Sequence, residues 1–462
     1  MNAGTGVSGV SAWLDPAGCP AERPPLEAMS AATRQLHEAI DAHARRTGLP
    51  YLNPDEPTVQ LDLFGSARVI AWQEAKAAFL FASEGCWSEL PHLYARYGTT
   101  ATAALIARLK ALERASCALV CDSGMQATAL AFDVLMAPGA HAVLMRQIYN
   151  KTRSYMEWLA GRLGGSVTIV DDGDMEALAA ALRPETRLVF AETYTNPLVR
   201  AQDLDALRRV VTAGRSRAPQ LKLIVDSTIA TPWAFAAPLL DSGVDLVVGS
   251  GTKSLGGRDT DLWGYIATND TPVANSVMDL LAMRGGILDW RRATAILAGF
   301  DGAEAAHARR SASAARVASF LAAHPKVSEV FHPSLPNHPD AAAIARHYRR
   351  PGSLLSFRVR GADEARTRHL ADVLATCVVV RYALSFDGPT TKVNHHQTVS
   401  EYFTPPEQLR RNGFDRLIRL AVGMEDPDDL IAALNWTLHH GDAVSAAEIE
   451  AWQRERAADL RV

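Results

Sequence analysis

The sequence predicts an α/β protein: a large domain with a mainly parallel sheet, a smaller C-terminal α+β domain and an N-terminal extension. Three observations support this. From about residue 100, short apolar runs alternate with helical segments, as in a parallel sheet covered on both faces. After about residue 300 the order of strands and helices changes. Near the N-terminus, breaker-rich stretches surround one helical segment. The expected divisions are residues 1–92, 93–298 and 299–462.

The N-terminal extension is predicted to contain one helix. Residues 1–25 are rich in Gly, Ser, Ala and Pro, which indicates a loose segment. Residues 26–48 repeat apolar side chains at helical spacing and end in Gly48, a typical helix stop. Residues 49–68 contain three prolines and a glycine, and we expect an extended arm there.

The large domain is predicted from its alternation of strands and helices. The strand-like runs are 116–124, 141–146, 166–171, 186–193, 221–226 and 244–250. The helical segments are 102–115, 125–136, 174–182 and 204–214. In such sheets, ligands bind beyond the carboxyl ends of the strands.

The small domain follows a long Ala/Arg-rich helical segment over 303–325. Its predicted strands are 353–361, 377–386 and 415–424, and its predicted helices are 365–375, 426–440 and 445–460.

Composition narrows the class of protein. The 462 residues are 48% apolar and 21% charged with a net charge of −4, so no nucleic-acid or anionic-membrane partner is expected. The five cysteines are odd in number and form no CxxC pair, which favours reduced thiols, a cytoplasmic location and no metal site. There is no long apolar run typical of a spanning helix, and no signal-peptide pattern.

A lone lysine, Lys253, stands among glycines and hydroxyls where a strand ends, in DLVVGSGTKSLGG. A lysine amine becomes a covalent catalyst when burial and nearby cations favour its neutral form. The best-known use is a Schiff base to pyridoxal phosphate (PLP). That cofactor also needs a phosphate cradle, a carboxylate at its ring nitrogen and a flat group against the ring.

Three other strand ends offer groups for such a ring. Asp226 ends an apolar strand and suits a protonated pyridine nitrogen, although a helix cap or a turn explains it equally well. Tyr149 follows a strand and suits stacking, although a core-edge tyrosine is the simpler alternative. Asn196 is able to donate to a phenolic oxygen, or is simply part of an Asn-Pro turn.

The phosphate cradle is predicted at DSGMQATAL, where Ser123 and Gly124 precede a helix. Helix N-terminal N–H groups bind phosphate, and a glycine lets the phosphate approach the backbone. Such turns are common, so the motif alone is weak. Ser250 and Thr252 offer further hydroxyl donors beside the lysine.

Taken together, these motifs resemble the cystathionine γ-synthase, cystathionine γ-lyase and methionine γ-lyase family, PLP-dependent enzymes of fold type I. The resemblance covers about residues 90–440 and rests on SGTKSLGG, CDSGMQA, VDST and AETYTNPLVRAQDL. It implies PLP as cofactor and an amino acid as substrate. The cofactor-binding residues that it implies are Gly124, Met125, Tyr149, Asn196, Asp226, Thr228, Ser250, Thr252 and Lys253.

Two further segments are interpreted from the resemblance alone. YARYG implies that Tyr94 and Arg96 reach the phosphate in a neighbouring subunit, and therefore a homodimer or homotetramer with shared sites. LIRLAVGM implies that Arg419 binds the substrate carboxylate, which suits a planar guanidinium.

The chain departs from the family pattern on the substrate side. Ser254 replaces an aromatic residue, and Arg258 stands where a histidine is usual. The stretch SFDGPTTKVNHHQTVSEYF replaces a Ser-Leu-Gly-Gly segment and begins at Ser385, a predicted substrate contact. Its pair His395-His396 is interpreted either as part of a structural loop or as a source of a general acid/base, in which case the two rings have different roles.

The resemblance implies γ-replacement or γ-elimination on a homoserine-, methionine- or cystathionine-like amino acid, with S-adenosylmethionine as one candidate. Catalysis would use a Schiff base on Lys253 and a vinylglycine-type intermediate. Lys253 would move the protons, assisted by Tyr149, whose pKa positive neighbours such as Arg96 would lower. The alternatives are β-elimination or transamination, and a non-catalytic relative of the fold. A nucleotide-binding protein is disfavoured because no GxGxxG or GxxxxGK[ST] motif follows an early strand.

Overall fold

The computed structural model describes residues 25–52, 60–82, 85–87, 90, 93–256 and 258–461. Its contacts divide the chain into two compact units. One contains the described residues up to Ile70 together with 93–97, and the other contains the rest. The predicted loose segment, apart from Pro25, lies outside the described residues, as do Cys19, Pro54, Pro57 and Gly257. Among the described residues, no helix has both the length and the apolar character needed to cross a membrane.

The first unit contains helix α1 (Ala31–Thr47), which the sequence predicted. The Ser30 hydroxyl caps its start by accepting from the Thr33 N–H, and Gly48 ends it with a φ of 73°. Helix α2 (Ser66–Ala77) begins inside the stretch predicted as an extended arm. The arm prediction is therefore wrong at its C-terminal end, where apolar residues without a breaker follow Gly65.

The second unit is built on a sheet whose strands are nearly continuous apolar runs. Its strands are β1 (Cys117–Cys121), β2 (His141–Met145), β3 (Ser166–Val170), β4 (Thr186–Glu192), β5 (Lys222–Asp226), β6 (Leu246–Ser250) and β7 (Gly264–Thr268). Their order is β1-β7-β6-β5-β4-β2-β3. Parallel pairing from β2 to β6 confirms the predicted fold class. Strand β7 was not predicted, and it lies antiparallel between β1 and β6.

Helices cover this sheet and enclose an apolar core. They are α3 (Thr100–Glu113), α4 (Gly124–Leu135), α5 (Asn150–Arg162), α6 (Met175–Ala181), α7 (Leu204–Gly214), α8 (Thr271–Arg284) and α9 (Trp290–Ala323).

A second sheet follows, with its own core. Its strands, β8 (Val327–Phe331), β9 (Leu354–Val359), β10 (Val380–Tyr382), β11 (Thr391–His395) and β12 (Ile418–Ala421), have the order β10-β11-β12-β9-β8. Its helices are α10 (Ala341–His347), α11 (Glu364–Thr376), α12 (His396–Ser400), α13 (Pro406–Asn412), α14 (Pro427–His440) and α15 (Ala446–Leu460).

Two sequence expectations in this region need correction. Strands β8 and β11 were not predicted. The run 377–386 was predicted as one strand, yet only Val380–Tyr382 pairs, because the following residues leave the sheet to line a cavity.

The long helix α9 connects the two sheets and contributes one fully buried cation. The guanidinium of Arg310 donates to the carbonyl oxygens of Ser254 and Gly388, both at 3.5 Å. Arg310 thereby joins the turn after β6 to the loop before β11.

Candidate active site

A cavity of about 500 Å³ opens at the carboxyl ends of β4, β5 and β6. Ten of the residues predicted from the sequence line it: Gly124, Met125, Tyr149, Asn196, Asp226, Thr228, Ser250, Lys253, Ser385 and Arg419. The other lining residues are Ser123, Thr128, Thr152, Glu192, Ile229, Leu262, Leu384, Phe386 and Ser400. Strand ends that are distant in the sequence therefore meet at one edge of the sheet, as the alternating pattern predicted.

Lys253 lies in the turn that follows β6. Its Nζ donates to the Ser385 hydroxyl and lies 5.3 Å from the centre of the Phe386 ring. Burial lowers the pKa of the Lys253 amine, and the nearby carboxylates of Asp259 and Asp387 only partly oppose that shift. The shift raises the share of neutral amine, the form that attacks a carbonyl or accepts a proton, relative to an exposed lysine.

Two buried carboxyl groups lie side by side at the ends of adjacent strands. Asp226 ends β5 and pairs in register with Glu192, which ends β4. Burial raises the pKa of Asp226 to about 6. Burial and the neighbouring Asp226 raise the pKa of Glu192 well above its ordinary range. A cation placed here, such as a protonated ring nitrogen, would relieve the cost of charging Asp226.

Backbone donors hold this carboxyl pair in place. The Thr228 N–H donates to Asp226 Oδ1 at 2.7 Å, and the Tyr149 N–H donates to Glu192 Oε1 at 2.6 Å. The sequence interpretation passed over Glu192, although it shows the same signal as Asp226, an acid that ends an apolar strand. Glu192 also links the carboxyl pair to the segment that carries Tyr149.

The segment predicted as a phosphate cradle forms the start of α4. The Ser123 hydroxyl caps the helix by accepting from the Gln126 N–H at 3.3 Å. A Cβ on Gly124 would lie 2.5 Å from Ser250 Cβ, so only glycine lets β6 approach the helix terminus this closely. The helix N-terminus and the Ser250 hydroxyl together suit a phosphate group.

Thr252 is not among the described residues that line the cavity. Its hydroxyl donates to the Trp263 carbonyl at 3.2 Å and accepts from the Trp263 N–H at 2.9 Å. The Thr252 hydroxyl thereby joins the lysine turn to the approach to β7. Its predicted phosphate contact stays a prediction. Thr228 supports the cradle, because its hydroxyl accepts from the Ser250 N–H at 2.8 Å.

Tyr149 immediately precedes α5, and half of it is exposed to the cavity and solvent. Burial of the other half, with the nearby Glu192 and Tyr402, raises the pKa of Tyr149. The lowering expected from cations such as Arg96 of a neighbouring subunit stays a prediction. The ring remains available for stacking.

Arg419, on β12, is 3% exposed and faces the cavity. It donates to the Leu384 carbonyl at 3.0 Å and to Asn196 Oδ1 at 3.3 Å. Among the described residues it forms no ion pair with a carboxylate, and burial lowers its pKa to about 10. A buried guanidinium that lacks an anionic partner suits a carboxylate ligand.

Tyr94 and Arg96 lie in the first unit. Arg96 belongs to a 3₁₀ helix, Ala95–Tyr97, and its guanidinium lies 5.0 Å from the ring centre of Tyr97 and 5.9 Å from that of Tyr94. Their predicted role in a neighbouring subunit stays a prediction.

The double histidine divides into two different environments, as expected for two rings with different roles. His395, at the end of β11, bonds through Nε2 to Glu364 and through Nδ1 to Thr398, both at 2.7 Å. This ring is structural. His396 opens α12, and it lines a smaller cavity beside the first.

The altered segment after Lys253 has partners of its own. Ser254 is buried, and Asp259 forms an ion pair with Lys392, which also donates to the Asp387 carbonyl. The sequence interpretation missed the cluster of Asp259, Asp387 and Lys392. Asp259 precedes the other two by 128 or more positions, so no local sequence pattern joins them.

A lysine with a lowered pKa, a carboxyl pair at two strand ends, a helix N-terminal cradle and an unpaired arginine define the class of protein as a PLP-dependent enzyme. A family model described as Cys/Met metabolism PLP-dependent enzyme matches residues 72–439. The chain belongs to this family, which confirms the resemblance inferred from the sequence, and its cofactor is pyridoxal 5′-phosphate.

Curated relatives and solved structures agree with this assignment. The cystathionine γ-synthase of Mycobacterium tuberculosis is 34% identical over 345 residues, which cover 75% of this chain and 86% of the relative. The L-methionine γ-lyase of Fusobacterium nucleatum is 30% identical over 380 residues, 81% of this chain and 93% of the relative. A crystal structure of cystathionine γ-lyase from Micromonospora echinospora has a TM-score of 0.69 and 28% identity, covering 76% of this chain and 89% of that one.

The residues present fit the cofactor. Its phosphate suits the α4 terminus and Ser250, and its ring nitrogen suits the buried Asp226. Lys253 suits its aldehyde. Since Asn196 Oδ1 already accepts from Arg419, the amide N–H₂ of Asn196 is left for the phenolic oxygen.

Proposed function

We propose that the protein catalyses γ-elimination or γ-replacement on a methionine-, homoserine- or cystathionine-type amino acid. The observation that carries the proposal is the placement of Lys253 and Arg419 on one cavity. The Lys253 amine is suited to hold a carbonyl cofactor that exchanges with an α-amino group, and the Arg419 guanidinium is suited to bind a carboxylate. An α-amino acid carries both of these groups. The names of the relatives, cystathionine γ-synthase and methionine γ-lyase, support the γ-carbon as the reacting position.

The residues of the chain divide the work as follows. Arg419 binds the substrate carboxylate and fixes the orientation of Cα. The Lys253 amine, whose pKa burial lowers, takes the proton from Cα and returns protons to the substrate carbon chain. Asp226 holds the cofactor ring nitrogen in its protonated form. The bound cofactor supplies the electron sink that stabilises negative charge at Cα.

Product analysis tests the proposal. The holoenzyme is given methionine and cystathionine singly, and O-succinylhomoserine with cysteine, with Lys253→Ala as the inactive control. We expect 2-oxobutyrate with a released thiol, or cystathionine as the replacement product. Pyruvate would show β-elimination instead. Absence of any product from all of these amino acids and from S-adenosylmethionine would contradict the proposal.

We also propose that Arg96 acts in the site of a neighbouring subunit. Mixing Arg96→Ala with Lys253→Ala subunits then regenerates one intact site in each mixed dimer. About a quarter of the wild-type activity is expected if half of the dimers are mixed and each holds one intact site in two. No recovery after verified subunit exchange would place Arg96 outside a shared site.

A further inference from the structure

A second cavity of about 220 Å³ adjoins the first and shares Tyr149, Asn196 and Ser400 with it. Its remaining wall is formed by the start of α5, by Phe414 and by the segment from His396 to Thr404. All of that segment except Thr404 lies in the stretch where the chain departs from the family pattern. A group attached to the far end of the substrate, beyond Tyr149, would enter this space.

The floor of the second cavity contains polar atoms without partners. His396 is 1% exposed, and neither ring nitrogen has a hydrogen-bond partner among the described residues. Burial and the nearby Arg419 keep the pKa of His396 well below its ordinary value, so the ring is neutral and offers one donor and one acceptor. Arg153 Nε, on the same cavity, is likewise buried without a partner in the described chain. Buried polar atoms of this kind favour a hydrogen-bonding ligand.

The mouth of the cavity is aromatic. Tyr402 and Phe403 lie with ring centres 4.3 Å apart, and they are 56% and 88% exposed. Exposed rings next to a polar floor suit a planar heterocycle, whose face stacks on the rings while its edge forms hydrogen bonds. An aliphatic or thiol group would leave the nitrogens of His396 without partners.

We propose that the second cavity binds a nucleobase-type heterocycle carried on the γ-substituent of the substrate, as in S-adenosylmethionine. This inference rests on the proposed function and specifies its substrate class. In the elimination, the Cγ–S bond breaks and its electron pair stays on sulfur, so the leaving group departs as neutral methylthioadenosine. With water, the remaining products are 2-oxobutyrate, ammonium and one proton.

Binding of 5′-methylthioadenosine to the holoenzyme, measured by calorimetry, tests the cavity without turnover. We expect saturable binding that is weakened about tenfold in Phe403→Ala, since the loss of one stacking ring costs about that much. His396→Phe, which removes the polar atoms, should weaken binding similarly. Trp158→Ala removes a half-exposed aromatic ring that does not line the cavity and should change the affinity less than twofold. No binding, or equal binding in Phe403→Ala, overturns the inference.

Kinetics with two sulfonium substrates separates this inference from the proposed function. S-adenosylmethionine and S-methylmethionine share the leaving sulfonium, and only the first carries a nucleoside. We expect kcat/KM to favour S-adenosylmethionine by at least about tenfold, and Phe403→Ala to remove most of that preference. Equal kcat/KM values for the two substrates, with measurable 2-oxobutyrate from both, would overturn the inference and still support the proposed function. If no amino acid yields 2-oxobutyrate or a replacement product, the proposed function fails, and methylthioadenosine binding still decides the cavity.

Discussion

The cavity has two walls with different origins. The cofactor wall consists of strand ends and one helix start: Gly124, Glu192, Asp226, Ser250 and Lys253. The substrate wall comes from the second sheet and its loops: Leu384, Ser385, Phe386, Ser400 and Arg419. The first wall follows directly from a parallel sheet, whose strands all end at one edge. The second wall depends on how a separate sheet packs against the first.

The difference shows where chemistry and specificity lie in this chain. The cofactor wall keeps the groups that the family pattern requires, and burial tunes them. The departures lie in the segments that follow Lys253 and Ser385: His396 lines the smaller adjoining cavity, and Asp259 forms an ion pair with Lys392. Substitutions in the two walls should therefore have separable effects, the first on cofactor retention and chemistry, the second on the choice of substrate.

The largest expected effect belongs to Lys253→Ala in the cofactor wall. Without the amine, no side chain replaces the proton carrier, so kcat should fall by about 10⁴-fold or more. A borohydride-trapped cofactor adduct, detected by mass spectrometry, should also disappear. The control Lys326→Ala, far along the chain in the second sheet region, should retain both the wild-type kcat and the trapped adduct. A trapped adduct that persists in Lys253→Ala would show that another lysine holds the cofactor.

The next largest effect should come from Arg419→Ala in the substrate wall. Loss of the guanidinium leaves the substrate carboxylate unpaired, and kcat/KM should fall by about 100-fold, mainly through KM. Arg419→Lys should recover only part of this, since an ammonium cannot form the planar bidentate pair. Cofactor content, read from absorbance, should stay unchanged. A matching loss of cofactor would contradict the separation of the two walls.

A smaller effect is expected for Asp226→Asn, and it depends on pH. The folded-state pKa of about 6 lies above the unfolded value of about 3.9, so the native state binds the extra proton. The stability linked to that proton is present below about pH 4 and is lost as the pH rises through 6. Cofactor-free Asp226→Asn should therefore be more stable than the wild type by about 3 kcal/mol at pH 8, with most of that difference gone at pH 4.

Urea unfolding of the cofactor-free proteins across this pH range measures the effect of Asp226→Asn. Asp245 offers a control, because its carboxylate already pairs with Arg215 at 2.5 Å. Asp245→Asn should destabilise the protein at pH 8. A destabilised Asp226→Asn at pH 8 would mean that burial does not raise the pKa of Asp226.

The smallest expected effects distinguish the hydroxyl of Thr252 from that of Ser250. Thr252→Val removes the bonds to Trp263 and should lower the free energy of unfolding by about 1 kcal/mol, with cofactor affinity unchanged within about twofold. Ser250→Ala removes a donor of the phosphate cradle and should weaken cofactor binding by about tenfold. The two affinities are measured by equilibrium dialysis. Equal loss of affinity in both variants would place Thr252 on the phosphate after all.

Much of the fold was predictable because local patterns determine it. The six strands at 117–250 and the helix that ends at Gly48 follow from apolar periodicity and breakers. Strand β7 was missed because the region was interpreted as alternating strand and helix, whereas β7 is the next element after β6 and runs antiparallel to it. The second sheet was only partly predicted, since β8 and β11 are short and mix polar with apolar residues.

The sequence by itself determined the cofactor wall of this protein. A residue at or just beyond the carboxyl end of a buried strand in an α/β sheet lies at the ligand edge of the sheet. Asp226 ends β5, and Gly124 and Lys253 each lie three residues beyond the ends of β1 and β6. Tertiary structure decided three further features. They are the hydrogen bonds between Thr252 and the Trp263 backbone, the raised pKa values of Glu192 and Asp226, and the placement of Arg419 and His396 on the two cavities. These features depend on burial and on contacts between distant segments, which no local pattern specifies.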